Sequence, residues 1–187
     1  MKKYTKLTLI VICVFLANLV FSQKDFNLYL HAGEISQDQF LQPEEANSQT
    51  LRANQFGSDY FVMVQFDHHL SSVEKNKLKN QGIELQEYIP RYAYVAKISK
   101  NAKLENSIVK FVIPFRPTYK YSIELVKNKI PAHAIIGNNV RLNVMKFDGI
   151  SMNDFLSTLR MKGYDAEVFS ERMVVVEVEV AKMEELA

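Results

Sequence analysis

The sequence predicts an α+β fold assembled from two copies of one small unit. Three observations carry that prediction. Apolar residues alternate in short runs, an amphipathic helix is bracketed by a serine cap and a glycine stop, and the whole series returns 81 residues later.

The first copy is clearest between Tyr60 and Ser99. Tyr60, Val62, Val64 and Phe66 share one face of a period-2 pattern, and Phe61, Met63 and Gln65 share the other. A strand this apolar on both faces needs cover on both sides. Ser71-Ser72-Val73-Glu74 then reads as a capping box: the Ser71 hydroxyl accepts from a first-turn N–H and Glu74 reaches back. Leu70, Val73 and Leu78 form the apolar stripe, and Gly82 supplies the left-handed residue that ends the helix. Ile83–Ile89 and Ala93–Ile98 are two further strands joined across Pro90-Arg91. Asn101–Lys110 places Leu104, Ile108 and Val109 on a second helical stripe, and Phe111-Val112-Ile113 closes the sheet before Pro114 and Pro117. Strand, helix, two strands, helix, strand is the order of a ferredoxin-like βαββαβ sandwich. In such a sandwich two helices cover one face of a four-stranded antiparallel sheet and the other face stays open.

The second copy begins at Val140. Leu142–Asp148 aligns with Phe61–Asp67, and Ser151-Met152-Asn153-Asp154 repeats the cap with a slip of one residue. Leu159 falls on Leu78, Gly163 on Gly82, and Met173–Val180 on the Ala93–Ile98 strand. Met152, Phe155, Leu156 and Leu159 line one side of the helix, and Ala181-Lys182-Met183-Glu184 echoes Ala102-Lys103-Leu104-Glu105. The closing strand has no counterpart before Ala187, so this copy is expected to be incomplete at its C-terminus, as in a piece of a longer chain. An edge left open in this way is a pairing hazard.

Three other segments surround the copies. Residues 1–22 read as a signal peptide: Lys2, Lys3 and Lys6 precede an apolar run from Leu7 to Phe21, and Ser22 precedes Gln23. An uncleaved anchor helix is the alternative. The single cysteine, Cys13, lies inside that run, so the mature chain is expected to carry no disulfide. Residues 23–59, with six glutamines, read as an extended, loosely packed leader in which Phe26–His31 is one short strand. Residues 60–117 are the first repeat. Residues 118–139 are a connector whose alternating Tyr119, Tyr121, Ile123 and Leu125 suggest a strand, followed by the Gly137-Asn138-Asn139 turn. Residues 140–187 are the second repeat.

Composition narrows the function. The formal charge is +2 over 187 residues, and the leader lysines account for three of 23 basic residues, which leaves 20 against 21 acids. That balance favours neither nucleic acid nor an anionic membrane surface. No membrane association is expected once the signal is removed, and the site of action is expected to be secreted, periplasmic or cell-surface.

No stretch assembles a catalytic, metal or cofactor site. Gly149-Ile150-Ser151-Met152 looks like a nucleophilic serine motif, which would need a base and an oxyanion hole, but Asn153-Asp154 follow in place of the small residues and proline such a motif carries, and Ser151 lies within a residue of the position matching the Ser71 cap. Asp67-His68-His69 reads as a solvated turn, because a zinc site needs three or four converging ligands. Tyr88, Tyr92 and Tyr94 raise the possibility of base stacking on the sheet, yet Tyr92–Ser99 lacks the basic-glycine-aromatic start of an RNA-recognition strand.

Val64-Gln65-Phe66, the capped helix ending Gln81-Gly82-Ile83, then Tyr88-Ile89-Pro90 and Ala93-Tyr94 together resemble the N-terminal prodomain of secreted subtilisin-like serine peptidases, in its fervidolysin-like type. Pro114, Pro117 and Lys120 are similar to that family's connector. The resemblance implies a βαββαβ domain that assists folding of the peptidase and inhibits it until processing. The partner would be the cognate catalytic domain, which packs on the open sheet face. On this expectation Val62, Met63, Tyr88 and Tyr94 touch the partner, and the chain itself catalyses nothing. The peptidase's own Asp, His and Ser motifs are absent here, and the prodomain-like unit is doubled. A free-standing secreted module that binds protein or glycan is the alternative.

Overall fold

The computed structural model describes residues 25–127 and 129–186. The expected signal segment, residues 1–22, therefore lies outside the described residues. The fold is α+β, with three antiparallel sheets and few helices.

The first repeat is a sheet of β3 (Gln55–Phe56), β4 (Asp59–Gln65), β5 (Ile83–Ile89), β6 (Ala93–Ser99) and β7 (Phe111–Pro114), with α1 (Ser72–Asn80) between β4 and β5. Its four long strands run in the order β5-β6-β4-β7, every pair antiparallel, which is the ferredoxin-like order. The short β3 shares the β7 edge of β4, nearer its N-terminal end. Tyr60, Val62, Val64, Phe66, Tyr94, Ala96 and Ile98 bury against Leu78 of α1.

The second helix expected over 101–110 is a single 3-10 turn, Leu104–Asn106. Ser107 is the physical reason. Its hydroxyl donates to the Leu104 carbonyl (2.7 Å) and accepts from the Val109 N–H (3.2 Å), and these local bonds compete with helix propagation. Leu104 and Val109 still enter the core, at 4% and 6% exposure.

The leader is not loose. β1 (Leu28–Leu30) and β2 (Gly33–Ile35) form a hairpin, and Leu41 pairs with Val112 beyond the edge of the main sheet. Leu28, Ile35, Phe40 and Leu51 are all buried. The glutamine-rich texture of this segment reflects the residues between those anchors.

The connector contains no strand over 119–125. Pro117 starts a 3-10 turn, Pro117–Lys120, and Ser122 caps the one-turn α2 (Ile123–Val126). Proline at a helix start and a serine N-cap outweigh a short alternation.

The second repeat comprises β8 (Ile135–Ile136), β9 (Asn139–Met145), α3 (Met152–Met161), β10 (Ala166–Ser170), β11 (Met173–Glu179) and the one-turn α4 (Met183–Leu186), with strand order β10-β11-β9-β8. Val140, Leu159, Tyr164, Val174, Val176 and Val178 form its core, and Met183 packs there as Leu104 does in the first repeat.

The displacement between repeats is 80 residues in the strands and caps, not 81. The Phe66 N–H donates to the Tyr92 carbonyl, and the Lys146 N–H donates to the Arg172 carbonyl. Ser71 and Ser151 then coincide, which removes the slip. One residue of register moves every side chain to the other face. Val140, Leu142 and Val144, not Leu142 and Val144 in the places of Phe61 and Met63, match Tyr60, Val62 and Val64. α3 is one residue longer than α1, so Leu159 and Gly163 remain 81 residues from Leu78 and Gly82.

Candidate protein-binding face

Each sheet has a face turned away from its helix. In the first repeat this face carries Phe61, Met63 and Gln65 of β4, Ala93, Val95 and Lys97 of β6, and Phe111 and Ile113 of β7, as the register places them. It is covered from within the chain. At one end Leu28, Ile35 and Phe40 of the leader pack with Met63, Ala93, Phe111 and Ile113. Gln65, fully buried, pins this cover: its side-chain amide donates to the Phe26 carbonyl (3.0 Å) and the Arg91 carbonyl (2.9 Å). Arg91 closes the same corner with an ion pair to Asp25 (2.6 Å), whose carboxyl it holds below the usual carboxylate range.

At the other end the cover comes from the second repeat. Phe147 stacks on Phe61 (centroids 5.2 Å, planes 16° apart) and tilts against Phe115 (5.3 Å). The Gln86 side-chain amide donates to the Asp148 carbonyl (2.6 Å). An added Cβ on Gly149 would lie 3.1 Å from Lys97 Nζ. Lys97 in turn pairs with Glu84 at 2.9 Å, which lowers the Glu84 carboxyl and raises the Lys97 ammonium.

The four residues expected to touch a partner are therefore scattered. Val62 and Tyr94 point to the α1 side and are buried, at 0% and 8% exposure. Met63 points the opposite way and is sealed under the leader. Tyr88, paired with Tyr94 on the α1 side of the sheet's outermost strand, is 46% exposed. It stands in an aromatic group with Tyr94 (5.1 Å) and His69 (6.3 Å), and Tyr92 meets His69 edge-on at 4.6 Å. The open face read from the sequence is thus closed in the first repeat, because the leader folds over it.

In the second repeat the equivalent face has a different character. Arg141, Asn143 and Met145 of β9 and Glu177 and Glu179 of β11 are exposed, and Met145 is 63% exposed. Val175 and Met173 are half-buried between them. Asn139 donates to Glu177 at 2.9 Å across the two strands. At the β10 edge, where the register shifts between Val168 and Ser170, Phe169 is 69% exposed. This is a mixed apolar and charged surface.

The chemistry-bearing motifs resolve as structural devices. The Ser151 hydroxyl accepts from the Asp154 N–H (3.1 Å) and donates to the Asp154 carboxylate (2.7 Å), so Ser151 is a helix cap. Ser71 and Glu74 form the full capping box. Glu74, held by Ser71 and then by His68, has its carboxyl lowered to about 2. His68 lies between Asp67 and Glu74, and both carboxylates, Asp67 first, raise its pKa. Among the described residues no three His, Cys, Asp or Glu side chains converge on a metal-sized site, and no helix is long and apolar enough to cross a membrane.

A family profile described as a domain of unknown function (DUF8729) matches residues 29–116. Its limits run from β1 through β7, so the matched segment joins the leader hairpin to the first repeat. No curated protein and no solved structure matches the chain.

Proposed function

We propose that this chain is the propeptide region of an exported subtilisin-like serine peptidase, where it inhibits the catalytic domain and assists its folding. The observation that carries the reading is the β5-β6-β4-β7 strand order around one capped helix, which is the prodomain topology the sequence resembles. The placement of the cover favours one face for that contact. The first repeat's free face is occupied by Leu28, Phe40 and Phe147, so the peptidase meets the second repeat, over Asn143, Met145, Val175 and Phe169. A standard interface buries about 800 Å² per partner, which one sheet face can supply. Binding the native peptidase and not its unfolded chain stabilises it in proportion to occupancy.

The test titrates the purified chain against the subtilisin-like peptidases secreted by the cell that makes it, with a chromogenic peptide substrate. Stoichiometric, substrate-competitive inhibition of one of them is expected. Met145→Lys and Phe169→Asp should weaken inhibition while the circular dichroism spectrum stays unchanged. Unaltered rates for every such peptidase would overturn the reading and leave a free-standing binding module in its place.

A further inference from the structure

We infer that the cavity between the leader and the outer side of β7 is a binding site for a small apolar molecule that carries one carboxylate. This does not rest on the peptidase reading, whose contact lies on the second repeat.

The cavity forms where two paired segments diverge. Leu41 exchanges both backbone hydrogen bonds with Val112, at 2.9 Å each, and the bridge goes no further. Two residues along β7 stands Pro114, which has no N–H to offer a continuing partner. On the leader side Gln37–Gln39 is a 3-10 turn, so the chain has left the extended conformation there. Between them lies a cavity of about 300 Å³. Ile35 and Ile113 give it an apolar lining that is 2% and 1% exposed, and the partly buried Leu41 and Pro114 continue it. Tyr119 completes the lining, brought there by the 3-10 turn that Pro117 starts. The larger hollow beside Gly137–Asn139 and Glu179–Ala181 has no buried side chain in its lining, so it offers an apolar ligand nothing comparable.

Polar groups complete the site. The Tyr119 hydroxyl donates to Gln39 Oε1 at 3.3 Å, and Gln39 Nε2 has no hydrogen-bond partner among the described residues. The Arg116 guanidinium lies over the Tyr119 ring, 5.8 Å from its centroid, and forms no ion pair among the described residues. Both side chains line the cavity. An apolar lining with a few polar groups is the usual make-up of a small-molecule site.

The ligand's chemistry follows from these groups. A guanidinium fork and an amide N–H both donate, so the recognised group is an acceptor, and the cation makes it an anion. One cation balances the single charge of a carboxylate, whereas a phosphate monoester carries up to about two. At about 30 Å³ per water-sized unit, the volume admits roughly ten non-hydrogen atoms. The carboxylate stays at the exposed Arg116 and Gln39, where water still reaches it, and the apolar body lies against Ile35 and Ile113.

The probe is phenylacetate, which fits that size, added to the full chain and compared with its neutral isostere phenylacetamide. Binding is followed by the NMR signals of the Ile35, Leu41 and Ile113 methyl groups. Phenylacetate is expected to shift them with a Kd of about 1 mM, as so small a ligand allows. Phenylacetamide should bind at least about tenfold more weakly, for want of the charge-assisted bonds. Arg116→Gln should bring phenylacetate down to the affinity of the amide, and Arg141→Gln on the second repeat should leave it unchanged. If Arg116→Gln fails to fold, the comparison of the two ligands on the wild-type chain still decides. Equal affinity for the two ligands, unmoved methyl signals at the highest soluble concentration, or undiminished binding of phenylacetate by Arg116→Gln overturns the inference.

Discussion

Phe61 and Phe147 stack face to face at 5.2 Å, and this pair joins one repeat to the other. Phe61 lies in the middle of the first sheet, and Phe147 follows the strand that matches it in the second. The residue equivalent to Phe147 in the first repeat is Asp67, on an exposed turn. The duplicated loop has thus become a connector in one copy and a solvated cap in the other.

Phe147→Ala removes the stack on Phe61 and the contact with Phe115. The loss is expected to cost about 2 kcal/mol, below the range for a fully buried phenylalanine because Phe147 is only half-buried. Thermal unfolding followed by far-ultraviolet circular dichroism should broaden or split, since the repeats then lose the aromatic contacts of Phe147 with Phe61 and Phe115. A single sharp transition at the original temperature would show the stack to be inert.

Two glycines end equivalent helices with nearly the same backbone, Gly82 at φ +82° and Gly163 at φ +83°. Alanine at either carries the left-handed penalty, about 1–2 kcal/mol. At Gly163 nothing lies within 4 Å of the added Cβ, whereas at Gly82 it meets Ser99 Cβ at 3.1 Å and Ala102 Cβ at 3.5 Å. Gly82→Ala should therefore destabilise measurably more than Gly163→Ala in urea titrations. Equal midpoints would rule out the close helix–strand approach at Gly82.

The cap of α1 makes stability depend on pH in two windows. Glu74 is lowered from its ordinary value to about 2, so its stabilisation is present above the unfolded carboxyl range and is lost as pH falls toward 2. His68 is raised by Asp67 and Glu74, so its contribution is full below the ordinary histidine range and fades as pH rises through the folded value. Ser71→Ala should cost about 1 kcal/mol through the lost cap. It should also move the Glu74 titration, read by NMR, back toward higher pH. An unmoved titration would show that Ser71 does not hold the carboxylate.

Gln65 tests how firmly the leader is attached. Gln65→Glu would bury a carboxylate against the Phe26 and Arg91 carbonyls, at a cost above about 3 kcal/mol. Limited proteolysis should then cut within the leader before the rest of the chain. Cleavage at the wild-type rate would mean the hairpin is held by Leu28 and Phe40 without the glutamine.

Much of the fold could be read locally. Ser71-Ser72-Val73-Glu74 encodes its own hydrogen bonds, Gly82 encodes a left-handed stop, and the alternation of Tyr60, Val62, Val64 and Phe66 encodes a face. Where local signals compete, the reading failed. Ser107 broke the second helix, and Pro117 with Ser122 replaced the strand expected in the connector. The repeat was visible, but its register was not, because Phe66-Asp67 and Phe147-Asp148 match better in letters than in backbone hydrogen bonds. Among the candidate contacts only Tyr88 reached the surface.

The amino-acid order alone determined the repeated α+β unit and the start and stop of α1 and α3, since each depends on residues within a few positions of one another. Only the tertiary structure decided which sheet face is covered. That outcome depends on Leu28, Phe40 and Phe147 arriving from distant parts of the chain, and burial between distant segments leaves no periodic mark in either of them.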